Sequence, residues 1–232
     1  MIDLTEPTPI TASTSRARGE IAPYVAPVVV FGVLTGLESA VPSSAYFWIY
    51  LTKMCAVTAS LFMCRRTLRL VRPSASVLLP AVVLGFLVFA QWVIVERLLA
   101  YPHLGSRVGF DPFGAFDSRG VTIAFLAVRF YGLVLLVPVM EEMFFRGFLL
   151  RYLTDPDFES LPPGSFSLGA FAIVTALSAL AHPEWIVAIV ASAMFALLLR
   201  RTRSLFAAIV AHATANLALG VYILLTRQWQ LW

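Results

Sequence analysis

The sequence predicts an all-α fold, a polytopic membrane bundle of about seven transmembrane helices, on three observations. Hydrophobic residues make up 59% of the chain and charged ones only 13%, with a mean hydropathy of +0.84, a balance that belongs to lipid-embedded chains. The apolar residues fall into runs of about 15–30, near the ~20 that a helix needs to cross the hydrocarbon core. Arginines gather between alternate runs rather than evenly along the chain. With 232 residues there is room for one bundle with short connections, and no separate soluble domain.

Residues 1–20 carry Pro7, Pro9, several Ser and Thr and mixed charges, a composition that predicts a disordered cytoplasmic segment. The remainder, 21–232, reads as a single transmembrane domain whose chemistry-bearing core is 121–226. The first span is expected over 21–40. Its prolines and the polar residues ahead of it favour a permanent anchor over a cleaved signal peptide. The second, 46–64, contains Lys53, a charge too deep to reach water fully, which calls for a polar partner inside the bundle. Cys55 and Cys64 lie on roughly opposite faces of this helix, so neither a disulfide nor a metal site is expected from them. Arg65, Arg66, Arg69 and Arg72 form the next loop, followed by a third span over 76–95.

The connection 96–120 is rich in Gly and Pro and includes a turn at Phe110-Asp111-Pro112-Phe113-Gly114. The fourth span, about 121–153, would be roughly 50 Å of helix. That length requires it to tilt, protrude or kink at Pro138. A polar linker over 154–165 precedes a fifth span over 166–182. Pro183 and Glu184 turn the chain into a sixth span, 185–199, and Arg200-Arg201-Thr202-Arg203 separates it from a seventh over 204–225.

Arginine placement orients the bundle. The amino terminus and the loops after spans two, four and six hold Arg16, Arg18, Arg65, Arg66, Arg69, Arg72, Arg151, Arg200, Arg201 and Arg203, against Arg97, Arg107, Arg119 and Arg227 on the other side. The positive-inside rule then puts the amino terminus in the cytoplasm and the carboxyl terminus outside. The net charge of +4 is therefore a topology signal, and no nucleic-acid partner is expected.

Polar groups inside the spans mark the candidate site. Glu141-Glu142-x-x-x-Arg146 sits in the fourth span, where each ionisable group costs on the order of 2.5–3.5 kcal/mol. Glu142 and Arg146 are four apart on one helix face and suit an ion pair, whereas Glu141 points about 100° away and needs another role. His182 closes the fifth span, and His212 and Asn216 share a face of the seventh. Measured from the cytoplasmic edge, Glu141 lies roughly 15 Å deep, His212 roughly 12 Å and His182 roughly 24 Å. A carboxylate pair, two histidines and an amide facing one cavity are the ingredients of acid–base hydrolysis. Two other readings stand beside it. One is a zinc-dependent intramembrane protease, for which the His-Glu-x-x-His helix is absent. The other is a non-enzymatic transporter, chaperone or immunity factor with a buried structural charge network.

The order Glu-Glu-x-x-x-Arg, a helix ending in His, then His-x-x-x-Asn resembles the CAAX protease and bacteriocin-processing family of intramembrane glutamate proteases. Gly109-Phe110-Asp111-Pro112, Val137-Pro138-Val139-Met140-Glu141-Glu142, Ala181-His182-Pro183-Glu184-Trp185 and Gln228-Trp229-Gln230-Leu231-Trp232 are similar to a bacterial branch associated with exosortase and PEP-CTERM sorting. Ser178 departs from the pattern, since the family usually has Phe four residues before the histidine. The resemblance implies an endopeptidase of the bacterial inner membrane, acting without metal or cofactor on a membrane-embedded or membrane-tethered protein or peptide, with a functional link to an exosortase system. In it Glu141 would be the general base on a water held by His182, and His212 and Asn216 would donate to the oxyanion. Glu142 and Arg146 would support the site.

Overall fold

The computed structural model describes residues 13–38, 40–42, 45–105 and 109–232, with side chains described from residue 21 onward. Of the segment 1–20 expected to be disordered, residues 1–12 lie outside the described residues and 13–20 are the first turns of a helix. Seven apolar helices run through the rest, and no strand occurs among the described residues. They are α1 (Ser13–Glu38), α2 (Tyr46–Met63), α3 (Leu78–Leu98), α4 (Arg119–Tyr152), α5 (Leu168–Leu180), α6 (Trp185–Thr202) and α7 (Leu205–Thr226). Six are long and apolar enough to cross a membrane, and the shorter α5 is the seventh apolar helix. The protein is a multi-pass membrane protein. Its outward faces agree: Trp48, Phe62, Leu79, Leu98, Leu168 and Leu225 are all well exposed, as lipid-facing side chains should be.

Differences from the expected bounds are local. α1 begins at Ser13 rather than near 21, and α3 continues to Leu98, which places Glu96 and Arg97 in its last turn instead of in the following loop. α5 has only 13 residues, about 20 Å, and is capped by Ser167, whose hydroxyl accepts from Ala170 N at 3.1 Å. The expected turn at 110–114 is a single helical turn, Pro112–Ala115, capped by Asp111 accepting from Phe113 N at 2.9 Å.

α7 lies at the centre, packed against α3, α4 and α6. Its close approach to α3 depends on Gly85, where a Cβ would stand 2.5 Å from Ala211 O. At the arginine-rich end, Arg151 is buried rather than loop-exposed. Its guanidinium donates to Gly147 O at 2.8 Å, Leu161 O at 2.9 Å and Glu159 O at 3.3 Å, tying the 154–165 linker to the end of α4. At the other end the turn after α3 is bonded to the turn before α6: Leu104 N donates to Pro183 O and Trp185 Nε1 to Pro102 O, both at 2.9 Å.

The other intramembrane cations find partners of two kinds. Lys53 meets Glu38 Oε2 at 2.6 Å and Thr35 Oγ1 at 3.2 Å, the polar partner its depth called for. Among the described residues Arg129 has no carboxylate within ion-pair distance. It lies between the rings of Tyr50 and Trp232, at 4.9 and 5.1 Å, and donates to Tyr46 OH at 3.4 Å. The carboxyl-terminal aromatics thus fold back onto the bundle, where Trp232 also meets Phe130.

Candidate active site

The site is built on α4, which is not a uniform α-helix. Two stretches, Tyr131–Leu136 and Met143–Leu149, have π-helical hydrogen bonding and bracket the glutamates. Wider i→i+5 turns of this kind are costly and concentrate at functional positions. Pro138 accounts for the consequence of the first. Val137 N donates to Gly132 O, five residues back. In the same register Leu133 O would receive Pro138 N, which carries no hydrogen. That orphaned carbonyl is satisfied from α7 by Asn216 Nδ2, at 2.9 Å. The long span is therefore accommodated by a π stretch ahead of the proline, with Asn216 completing its backbone bonding.

This gives Asn216 a load to carry in the resting fold. Asn216→Ala is expected to destabilise the protein by about 1–3 kcal/mol, the cost of a buried acceptor left without a donor. In a Pro138→Ala background, where residue 138 has its own N–H, the same substitution is expected to cost less. Thermal unfolding of the two single variants and the double variant measures that coupling. Additive losses would show that Asn216 does not serve the carbonyl freed by Pro138.

Glu142 is fully buried and is the centre of the polar network. Its Oε1 accepts from Arg146 Nη1 at 3.3 Å, the expected i,i+4 pair, and from His212 Nδ1 at 3.0 Å. Arg146 reaches on to α6, donating through Nη2 to Ser192 O at 3.0 Å and Ser192 Oγ at 2.8 Å. The His212 ring stacks on Phe195 of the same helix at 5.0 Å and 18°. Three helices are thereby cross-linked through one carboxylate. Ser192 and Phe195 escaped the sequence reading, because a serine in a small-residue run and an aromatic one turn later look like ordinary helix packing.

The four expected catalytic groups are placed as follows. Glu141 is half-buried, and among the described residues its carboxylate makes no hydrogen bond or ion pair. His212 is bonded to Glu142, the carboxylate next to Glu141 in the chain, and among the described residues makes no hydrogen bond to Glu141 itself. Asn216 lies one turn further along α7, with one of its two amide hydrogens on Leu133 O. His182 stands at the end of α5, its Nδ1 at 2.9 Å from Ser178 O and its ring against Trp92 of α3 at 5.9 Å. Among the described residues no hydrogen bond joins His182 to Glu141, Glu142, His212 or Asn216.

Partners decide the histidine tautomers. Ser178 O can only accept, so His182 carries its proton on Nδ1 and presents the Nε2 lone pair. A carboxylate likewise only accepts, so His212 Nδ1–H points at Glu142, leaving Nε2 as the outward atom. That atom accepts a hydrogen bond when His212 is neutral and donates one when the ring is doubly protonated. Among the described residues no group of three or more His, Cys, Asp or Glu side chains is arranged to hold a metal ion.

Residues 123–218 match the family model described as type II CAAX prenyl endopeptidase Rce1-like, a segment that runs from α4 into α7 and contains Glu141, Glu142, Arg146, His182, His212 and Asn216. Searches of curated proteins and of solved structures return no significant match. The matched segment does not include α1 to α3, so Lys53, Trp92 and the 99–104 turn lie outside it.

Proposed function

We propose that the protein is an intramembrane endopeptidase that hydrolyses a peptide bond in a membrane-embedded or membrane-tethered substrate, with Glu141 as the general base. The observation that carries this reading is the contrast between two adjacent glutamates in the segment that matches the Rce1-like model. Glu142 is paired through Oε1 with both Arg146 and His212, while Glu141 is half-buried and, among the described residues, makes no hydrogen bond or ion pair. A carboxylate held in a bilayer without a structural partner is costly, and a water to activate gives it a purpose.

In this scheme Glu141 takes a proton from water as the oxygen attacks the scissile carbonyl, and gives it to the leaving nitrogen as the C–N bond breaks. The Nε2 lone pair of His182 accepts a hydrogen bond from the same water. Asn216 offers its second amide hydrogen to the developing oxyanion, and His212 offers Nε2–H in its doubly protonated form, with Glu142 holding the other end of the ring. Incubating the purified protein with a library of membrane-associated peptides tests the reading. Cleavage that survives a strong chelator is expected; loss of activity on chelation, restored by added zinc, would replace the glutamate scheme by a metal one.

The setting proposed is a bacterial inner membrane with the amino terminus inside and the carboxyl terminus outside, serving an exosortase sorting system. Support for the orientation is the arginine distribution, and three of the arginine-rich loops do meet at one end of the bundle. Leu70 packs near Gly147 and Leu205, and Arg203 Nη1 donates to Ser165 Oγ at 3.1 Å. Reporter fusions after residues 72 and 203 are expected to report cytoplasm and a fusion after 227 the outer side. A cytoplasmic signal after 227 would reverse the assignment.

A further inference from the structure

Away from the glutamates, at the end of the bundle where α3 and α7 both stop, lies a cavity of about 240 Å3. Glu96 and Arg97 from the last turn of α3, His103, Tyr222 from the last turns of α7, and Gln228 and Gln230 line it. This is a concentration of polar chemistry that the proposed hydrolysis does not use. Its volume suits a fragment of a few heavy atoms and is smaller than an ordinary drug-sized ligand pocket.

The two charges face the same space from adjacent residues and are held differently. Glu96 is anchored: it accepts from Tyr101 OH and lies 3.2 Å from His103 Nε2, one oxygen to each. Burial first, and then Glu96 itself, push the Tyr101 phenol well above its usual range, so it remains a donor. Each carboxylate oxygen retains a second lone pair. Arg97 is exposed, and its partner is a phenol, Tyr222, through a hydrogen bond and the ring face. Among the described residues Arg97 has no carboxylate partner and the Gln230 amide makes no hydrogen bond. Spare acceptors therefore stand beside spare donors.

Position narrows the ligand. The cavity is level with the ends of two membrane spans, where lipid head groups lie. Leu98 and Leu225, at the ends of the same two helices, are 81% and 80% exposed, so apolar side chains flank the polar cavity at the level where acyl chains meet head groups. A purely anionic group would meet Glu96, and a purely cationic one Arg97. A group that carries both charges meets each in its place.

We propose that this cavity seats the head group of a zwitterionic aminophospholipid, with its phosphate on Arg97 and Gln230 and its primary ammonium on Glu96. A primary ammonium offers three N–H donors to the free lone pairs of Glu96, whereas a trimethylated one offers none. The inference stands independently of the proteolytic reading, because nothing in it involves Glu141.

The test is retention of lipid by the full-length protein, measured by native mass spectrometry after exchange into detergent supplied singly with phosphatidylethanolamine, phosphatidylcholine or phosphatidylglycerol. One phosphatidylethanolamine is expected to be retained about tenfold more strongly than either of the others, the effect of a charged hydrogen bond gained or lost. Arg97→Ala is expected to abolish that retention. Glu96→Gln is expected to remove the discrimination between phosphatidylethanolamine and phosphatidylcholine. Since Glu96 also anchors Tyr101, Gln230→Ala serves as a second variant: its amide holds nothing in the fold, and it should weaken retention without changing the melting temperature. Equal retention of all three lipids, a preference for phosphatidylglycerol, or unaltered retention in both Arg97→Ala and Gln230→Ala would overturn the proposal. Soluble glycerophosphoethanolamine is the last arm. It should not displace the lipid at millimolar concentration, and displacement there would assign the cavity to a free zwitterion instead.

Discussion

Glu141→Gln is expected to lower peptide hydrolysis by at least about 10²-fold, the smaller end of what a positioned general base contributes, in a protein whose unfolding is unchanged within about 0.5 kcal/mol. The two halves of that expectation come from one structural fact. Because the Glu141 carboxylate has no hydrogen bond or ion pair among the described residues, an amide in its place breaks nothing, and its neutral side chain is easier to keep in a bilayer. The loss should fall on turnover at saturating substrate rather than on KM, since the proton is taken in the transition state and not in the ground state. Single-turnover cleavage in detergent, with circular dichroism of the same preparation, measures both. Full activity in Glu141→Gln would remove the base from the scheme and leave a structural or transport role for the polar network.

Much of this molecule was legible from residue order. Apolar runs located the helices because a bilayer demands unbroken backbone hydrogen bonding from every segment that crosses it. The Glu142–Arg146 pair followed from i,i+4 spacing, and a partner for Lys53 followed from its depth. The limits of the reading are equally physical. Helical periodicity presumes 3.6 residues per turn, and α4 departs from that value in two stretches. Beyond a π turn, the face a residue occupies is no longer given by counting. Hence the sequence suggested Glu142 for Arg146 alone, while the fold has it shared with His212. The tie between Pro138 and Asn216 joins residues far apart in the chain, and no local pattern announces it. Depth along a helix can be counted, but the bonding of the turn at Pro183 to the distant 99–104 segment cannot.

The network around Glu142 yields the largest expected change in stability. Arg146→Met keeps much of the side-chain volume between Phe145 and Phe195, whose rings lie 5.7 Å from the guanidinium on each side, so packing is largely preserved. What is lost is the charge opposite a carboxylate that has no exposure at all. Removing one partner of a buried ion pair costs about 3–5 kcal/mol, because the other is left charged in a medium of low dielectric. Glu142→Gln in the same protein is expected to return most of that loss, since the uncompensated charge is then gone and an amide oxygen still accepts from His212 Nδ1. Thermal unfolding of the two single variants and the double variant gives the coupling directly. A single-variant loss below about 1 kcal/mol, or losses that simply add, would show that the pair is wet and weak, as exposed ion pairs are. Activity separates stability from orientation. In the double variant the fold recovers but Glu142 no longer offers a full negative charge to the His212 ring, and the doubly protonated form that donates through Nε2 loses its counterion. The double variant is therefore expected to be stable and still slow, a combination that a purely structural network would not produce.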